Sequence, residues 1–221
     1  MVKVFIGVGH GGIDSGAAAN GVKEKDLNLS IALACRDELV RHGVSVKMSR
    51  TKDEDDPIGE EVKECNAYAP DVAVDIHNNA GGGDGAEVFY SHLGGKGKTL
   101  AEDILAEIVK LGQNSRGIKT RVNSQGKDYY AFIRNTSCPA VIVEACFIDN
   151  ATDLQILATE GDRQKMGVAI AKGILNALGV AYQSEKAYWK VQVGAYLYRE
   201  NAEAMQKKIK SVGFDAFIVR E

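Results

Sequence analysis

Two rhythms alternate along the first 180 or so residues. Short apolar runs at 2–8, 44–48, 71–77, 85–90 and 139–143 are too brief for helices and too continuous for strands wetted on one face, so they predict buried β-strands. Between them the apolar positions take a helical period. Leu27, Ile31, Ala34, Cys35 and Leu39 predict a helix from about 26 to 42, capped by Asp26 and stopped by Gly43. A short helix is expected near 58–68. Leu100, Ile104, Leu105, Ile108 and Leu111 mark another that ends at Gly112, and Met166, Ile170, Ile174 and Leu178 mark a closing helix before Gly179. Residues 113–128 are polar and without period, and are expected to form a long loop, which in a compact domain more often serves function than not. The alternation predicts an α/β domain over residues 1–179, a single mostly parallel, twisted sheet covered by helices on both faces.

A polar linker at 180–187 leads to a different unit at 188–221. Trp189, Val191, Val193 and Ala195 alternate with Tyr188, Lys190, Gln192 and Gly194, which predicts a strand. Ala202, Met205, Ile209 and Val212 fall at helical spacing and stop at Gly213, and a second strand is expected over 214–219. A β-α-β unit of about 35 residues is too small to bury a core alone. It is expected to pack on its own catalytic domain, to be the first of two repeats of which the second is missing, or to pair with a second copy, giving a homodimer through this C-terminal unit.

Charge narrows the function classes. With 27 Lys and Arg against 30 Asp and Glu among 221 residues, the net charge of −3 gives no reason to expect a nucleic-acid partner. No apolar run approaches the roughly 20 residues that span a bilayer, so membrane insertion is not expected. The N-terminus gives way at once to glycines and reads as a first strand, so synthesis in the cytoplasm without a signal peptide is expected. The four cysteines, Cys35, Cys65, Cys138 and Cys146, contain no Cys-x-x-Cys pair and are expected to be reduced and buried. Only Cys146 falls near the candidate chemistry below.

His10 and His77 each follow an apolar run, which places them at the carboxyl ends of strands, where open α/β sheets bind ligands. Gly11-Gly12 and Asn78-Asn79 leave room beside them. Two imidazoles and a carboxylate with an open fourth position describe a catalytic zinc site. Glu24, ahead of the first helix, and Glu144, after the run 140–143, are the carboxylates within reach of such a site. Glu144 follows four apolar residues, so desolvation would raise its pKa toward the range of a general base. Arg134 ends the run 130–133 and could orient a substrate carboxylate or carbonyl; Asn79 is a second candidate substrate contact. His42, at a helix C-terminus, is expected to be structural, and His92 to be exposed in a loop.

Four separated blocks then carry a resemblance: His10-Gly11-Gly12-Ile13-Asp14-Ser15-Gly16-Ala17 with Glu24, Ile76-His77-Asn78-Asn79-Ala80, Ile133-Arg134-Asn135-Thr136, and Pro139 through Asn150. In this order they resemble the zinc-dependent N-acetylmuramoyl-L-alanine amidases of the type 3 family. The resemblance implies zinc ligands at His10, Glu24 and His77, Glu144 as catalytic acid/base, and Arg134 matching an arginine common in the family. Val8, Asp75 and Cys146 stand where a proline, a serine and a glycine are usual. The tail around 189–196, with Asn201-Ala202 and Gly213-Phe214, resembles the first half of a SPOR peptidoglycan-binding repeat.

The implied reaction is hydrolysis of the amide between N-acetylmuramic acid and L-alanine in peptidoglycan, by a phage endolysin or a spore-former's autolysin that reaches the cell wall after release. The readings set against it are another zinc amide hydrolase of carboxypeptidase type and a catalytically inactive wall-binding protein.

Overall fold

The first apolar run folds as β1 (Lys3–Val8), with Val4, Phe5, Ile6 and Val8 wholly buried. In the computed structural model, which describes residues 1–184 and 192–219, a two-stranded hairpin follows, β2 (Ala18–Ala19) and β3 (Val22–Lys23), then α1 (Glu24–Arg41) and β4 (Ser45–Met48). The chain continues through α2 (Ile58–Tyr68), β5 (Val72–Asn79), β6 (Ala86–Tyr90), α3 (Lys96–Val109), β7 (Ser115–Lys119), α4 (Ala131–Asn135) and β8 (Ala140–Phe147). A 3-10 turn at Asp153–Leu157 leads into α5 (Glu160–Ala177). These elements form one unit, Met1–Gln183; a second, Ser184–Glu221, holds α6 (Arg199–Ser211).

The main sheet has the order β4-β1-β5-β8-β6-β7. β4, β1, β5 and β8 run parallel, whereas β6 is antiparallel to β8 and parallel to β7. Side chains alternate across it, so each strand feeds two cores. Val4, Ile6, Val74 and Val143 meet Ile31, Leu39, Ile104 and Ile170 from α1, α3 and α5 on one face. Phe5, Ala73, Phe89 and Ile142 meet Cys65 of α2 and Phe132 of α4 on the other. The mostly parallel, doubly covered α/β sheet expected from the sequence is therefore the fold. Glycines let α5 approach its neighbours: a Cβ on Gly167 would lie 2.5 Å from the Ile31 carbonyl oxygen, and one on Gly173 would lie 2.4 Å from the Ile104 Cα. Alanine at either position would force the helices apart.

Several expectations need correction. α1 begins at Glu24 on Lys23, which makes no side-chain cap bond, so Asp26 sits inside the first turn instead of capping. The loop expected over 113–128 contains β7. That strand lies at the sheet edge, where Ser115, Arg116 and Lys119 need not be apolar, and its one aliphatic residue, Ile118, produces no period. β8 runs on to Phe147, so Glu144 lies within a strand and not at its end.

In the second unit, the helix expected around Ala202, Met205 and Ile209 is present as α6, but it buries none of its residues. Neither 192–195 nor 214–219 is a strand, and residues 188–191 of the first expected strand lie outside the described residues. Among the described residues no apolar face covers 214–219, so that short segment has nothing to hold it in a sheet. The sheet edge that was to pair with a second copy is therefore not formed by the described residues. Among these, no helix is long and apolar enough to cross a membrane.

Candidate metal centre and active site

His10 follows β1 with φ of 63°, in the left-handed region that residues other than glycine rarely occupy. Two glycines make that loop possible. A Cβ on Gly9 would lie 2.1 Å from the His77 ring, and one on Gly16 would lie 2.6 Å from both Glu24 Oε2 and His10 Cδ2. The buried Arg50 ties the segments together, donating to the carbonyls of Val8, Gly9 and Lys25.

The two imidazoles meet edge to face with centroids 5.1 Å apart. Glu24, the first residue of α1, bridges them: Oε2 is 3.2 Å from His10 Nε2 and Oε1 is 3.0 Å from His77 Nδ1. Its carboxylate also accepts from the backbone N–H groups of Ala17 and Asn78. The outer imidazole nitrogens face carboxylates of their own, His10 Nδ1 with Asp14 at 2.8 Å and His77 Nε2 with Asp75 at 3.1 Å. With Asp14 and Asp75 holding the outer N–H groups, the nitrogens that face Glu24 are the ones that would give up their protons to bind a metal.

Donor atoms of His10, Glu24 and His77 lie within 4.8 Å of one another and could hold a metal ion. The local field favours positive charge there. Burial alone would raise the Glu24 pKa, but the hydrogen bonds from His10 and His77 outweigh it and hold the carboxyl far below its ordinary range. Burial would lower His77, yet the charge and hydrogen bond of Asp75, with Glu24, push it well above an ordinary imidazole. His10 is raised chiefly by its hydrogen bond to Glu24. Two nitrogen donors and one oxygen donor, oriented from behind and set in a negative field, fit a divalent ion such as zinc.

Glu144 stands beside His77 in the β5–β8 ladder and opposite Glu87 in the β8–β6 ladder. The register thus sets His77, Glu144 and Glu87 in one row across a sheet face. Glu144 Oε2 is buried without a hydrogen-bond partner among the described residues. Burial raises its pKa to about 7, against the pull of His77 and with help from Glu24, Glu87 and Asp75. A carboxyl poised near neutrality is suited to taking and returning a proton.

The remaining sequence candidates have intramolecular partners. Asn79 donates to Glu87 at 3.1 Å and accepts from the Ala80 N–H. Arg134, exposed on α4, donates Nη1 to the carbonyls of Asp128 and Tyr129, both at 2.7 Å. His92, expected to be merely exposed, is bound to Asp128 at 2.8 Å. His42 Nδ1 lies 2.8 Å from the Glu38 carbonyl oxygen. Cys146 donates to Asn78 Oδ1, and burial pushes its thiol pKa up, which makes it no nucleophile.

Sequence reasoning missed two groups. Arg50 carried no local signal. Asp75 stood out as a polar residue inside an apolar run and as a departure from the resembled family, but its partner His77 did not show, and the acids gathered behind it come from elsewhere: Glu61 of α2 and Asp56 just before it. Burial raises Glu61 most, then the charges of Asp75 and Asp56; burial also raises Asp56. Gly7 makes room for this group, since a Cβ there would lie 2.0 Å from Glu61 Oε1 and 2.7 Å from Asp75 Oδ1.

The family profile described as N-acetylmuramoyl-L-alanine amidase matches residues 4–176. The SPOR domain profile matches residues 168–220 and so begins inside α5, earlier than the tail resemblance suggested. N-acetylmuramoyl-L-alanine amidase CwlM of Bacillus licheniformis is 36% identical over 99% of this chain and 85% of its own length. The sporulation-specific N-acetylmuramoyl-L-alanine amidase of Bacillus subtilis is 34% identical over 99% and 85%. Among solved structures, Cwp6 from Clostridium difficile superposes with a TM-score of 0.79 at 39% identity, covering 80% of this chain and 29% of Cwp6. With the site geometry and these matches together, the chain belongs to the N-acetylmuramoyl-L-alanine amidase family.

Proposed function

We propose that this chain is a zinc-dependent peptidoglycan hydrolase that cleaves the amide joining N-acetylmuramic acid to the L-alanine of the stem peptide. One observation carries the reading: a His10–Glu24–His77 donor set with Glu144, a carboxyl near neutrality, beside it in the sheet register. His10, Glu24 and His77 would hold the zinc ion, which would supply the Lewis acidity for polarising the amide carbonyl and acidifying water. Glu144 takes the proton from the attacking water and passes it to the departing alanine nitrogen. Asp14 and Asp75 fix the two imidazoles by their outer nitrogens.

Asn79 and the exposed Arg134 are proposed as substrate contacts, held in place by Glu87 and by the carbonyls of Asp128 and Tyr129 respectively. Residues 1–179 are proposed as the catalytic domain, 180–187 as a linker and 188–221 as a wall-binding unit, which the SPOR match supports. The names of the relatives, one sporulation-specific and another the endolysin of Bacillus phage SPP1, support wall lysis by a spore-former's or a phage's enzyme as the setting.

The test is metal analysis alongside turnover of soluble muropeptides. Chelation should stop hydrolysis and stoichiometric zinc should restore it, while His77→Ala should bind no zinc after dialysis. Full activity in the chelated protein, or undiminished zinc in His77→Ala, would overturn the reading.

A further inference from the structure

A dense group of charge outside the metal-binding set lies on the reversed strands next to Glu144. Glu87 is 5% exposed. Its Oε2 accepts from Arg116 Nε at 2.7 Å and from Lys119 Nζ, while Oε1 accepts from Asn79. A third cation, Arg121, stacks 3.7 Å from the centroid of the Tyr129 ring and lies 6.0 Å from that of Tyr130. Tyr130 sits within the fields of Glu144, Glu87 and Arg121, which places all of them on one flank. Among the described residues Arg121 forms no ion pair, and the Arg116 and Lys119 side chains remain 37% and 34% exposed.

One buried carboxylate needs one cation; three surround this flank. The surplus positive charge lies beside the residue read as the proton carrier. A muramoyl-peptide is charged on one side of its scissile amide only. The muramic acid carboxyl is consumed in forming that amide, whereas the stem peptide carries free carboxylates.

We propose that Arg116, Lys119 and Arg121 form a carboxylate-binding wall that receives the anionic stem peptide and so fixes the leaving group against β6 and β7. This rests on reading the site as a muramoyl-amide hydrolase. The three cations bind substrate; Glu87 tunes them by neutralising one.

The test compares two soluble N-acetylmuramoyl-tetrapeptides, one with free stem carboxyls and one with those carboxyls amidated. The zinc-loaded wild type should show the lower KM for the free acid. Lys119→Gln combined with Arg121→Gln should raise the free-acid KM by at least about tenfold, as expected for lost charge-assisted hydrogen bonds. The amidated substrate should keep its KM within about twofold, since it presents no carboxylate for those bonds. Glu87→Gln should lower the free-acid KM, a change of opposite sign that misfolding cannot produce. Equal wild-type KM values for the two substrates, parallel KM changes in the double variant, or a change confined to kcat would each overturn the wall. Cleavage of neither substrate by the wild type would instead overturn the muramoyl-amidase reading beneath it.

Discussion

Replacing Glu144 with Gln should stabilise the metal-free protein more in alkali than in acid. The folded protein holds the Glu144 carboxyl at about 7, against 4.5 for the free side chain. At low pH the group is protonated in both folded and unfolded chains, so no penalty exists. As pH rises past the unfolded value, only the unfolded chain ionises, and stability falls until the folded group also ionises near 7. At about 1.4 kcal/mol per pKa unit, the full penalty above pH 7 is at most about 3.5 kcal/mol, part of which is already present at pH 5. Gln never ionises and so never incurs it. Any fixed difference between amide and carboxyl at the unpartnered Oε2 position is independent of pH and cancels when two pH values are compared. Urea unfolding of wild type and variant in chelator, at pH 5 and pH 8.5, gives the difference directly. The variant should gain between about 2 and 3 kcal/mol relative to wild type on going from acid to alkali. A pH-independent difference, or a loss of stability in alkali, would show that burial does not raise this carboxyl.

Other substitutions probe the supporting structure. Asp75→Asn should weaken zinc binding by about 10- to 100-fold with the fold intact, as measured by competition with a chelating dye, because His77 loses the carboxylate at its outer nitrogen. Gly9→Ala should abolish stoichiometric zinc binding while far-ultraviolet circular dichroism stays native, since the new methyl would lie 2.1 Å from the His77 ring. Arg50→Met should cost at least about 3 kcal/mol in denaturant unfolding, because the carbonyls of Val8, Gly9 and Lys25 lose a charged donor.

The sequence made the fold legible where burial on both faces left an unbroken apolar run. β1, β5 and β8 are of this kind, and the histidines and Glu144 were found because each ends or interrupts such a run. β7 was illegible because an edge strand needs few apolar residues. The second unit misled for the opposite reason: its alternating residues have strand periodicity, but period alone cannot supply a surface to pack against, and α6 buries nothing. At the site, local pattern found donors but not their environment. The approach of Glu61 to Asp75 depends on how α2 lies over Gly7, and the cations around Glu87 come from a segment that read as loop. These contacts join residues tens of positions apart and leave no periodic trace.

Digestion of purified peptidoglycan by zinc-loaded wild type and zinc-loaded Glu144→Gln, with products resolved by mass spectrometry, examines reaction and mechanism together. The wild type should release stem peptides with a free L-alanine amine and leave glycan strands with free lactyl carboxylates. Glu144→Gln should bind zinc equally yet cleave slower by about 10²–10⁴-fold, the usual contribution of a positioned acid/base. Cleavage at any other bond by the wild type, or near-normal release of L-alanyl peptides by Glu144→Gln, would contradict the proposed chemistry.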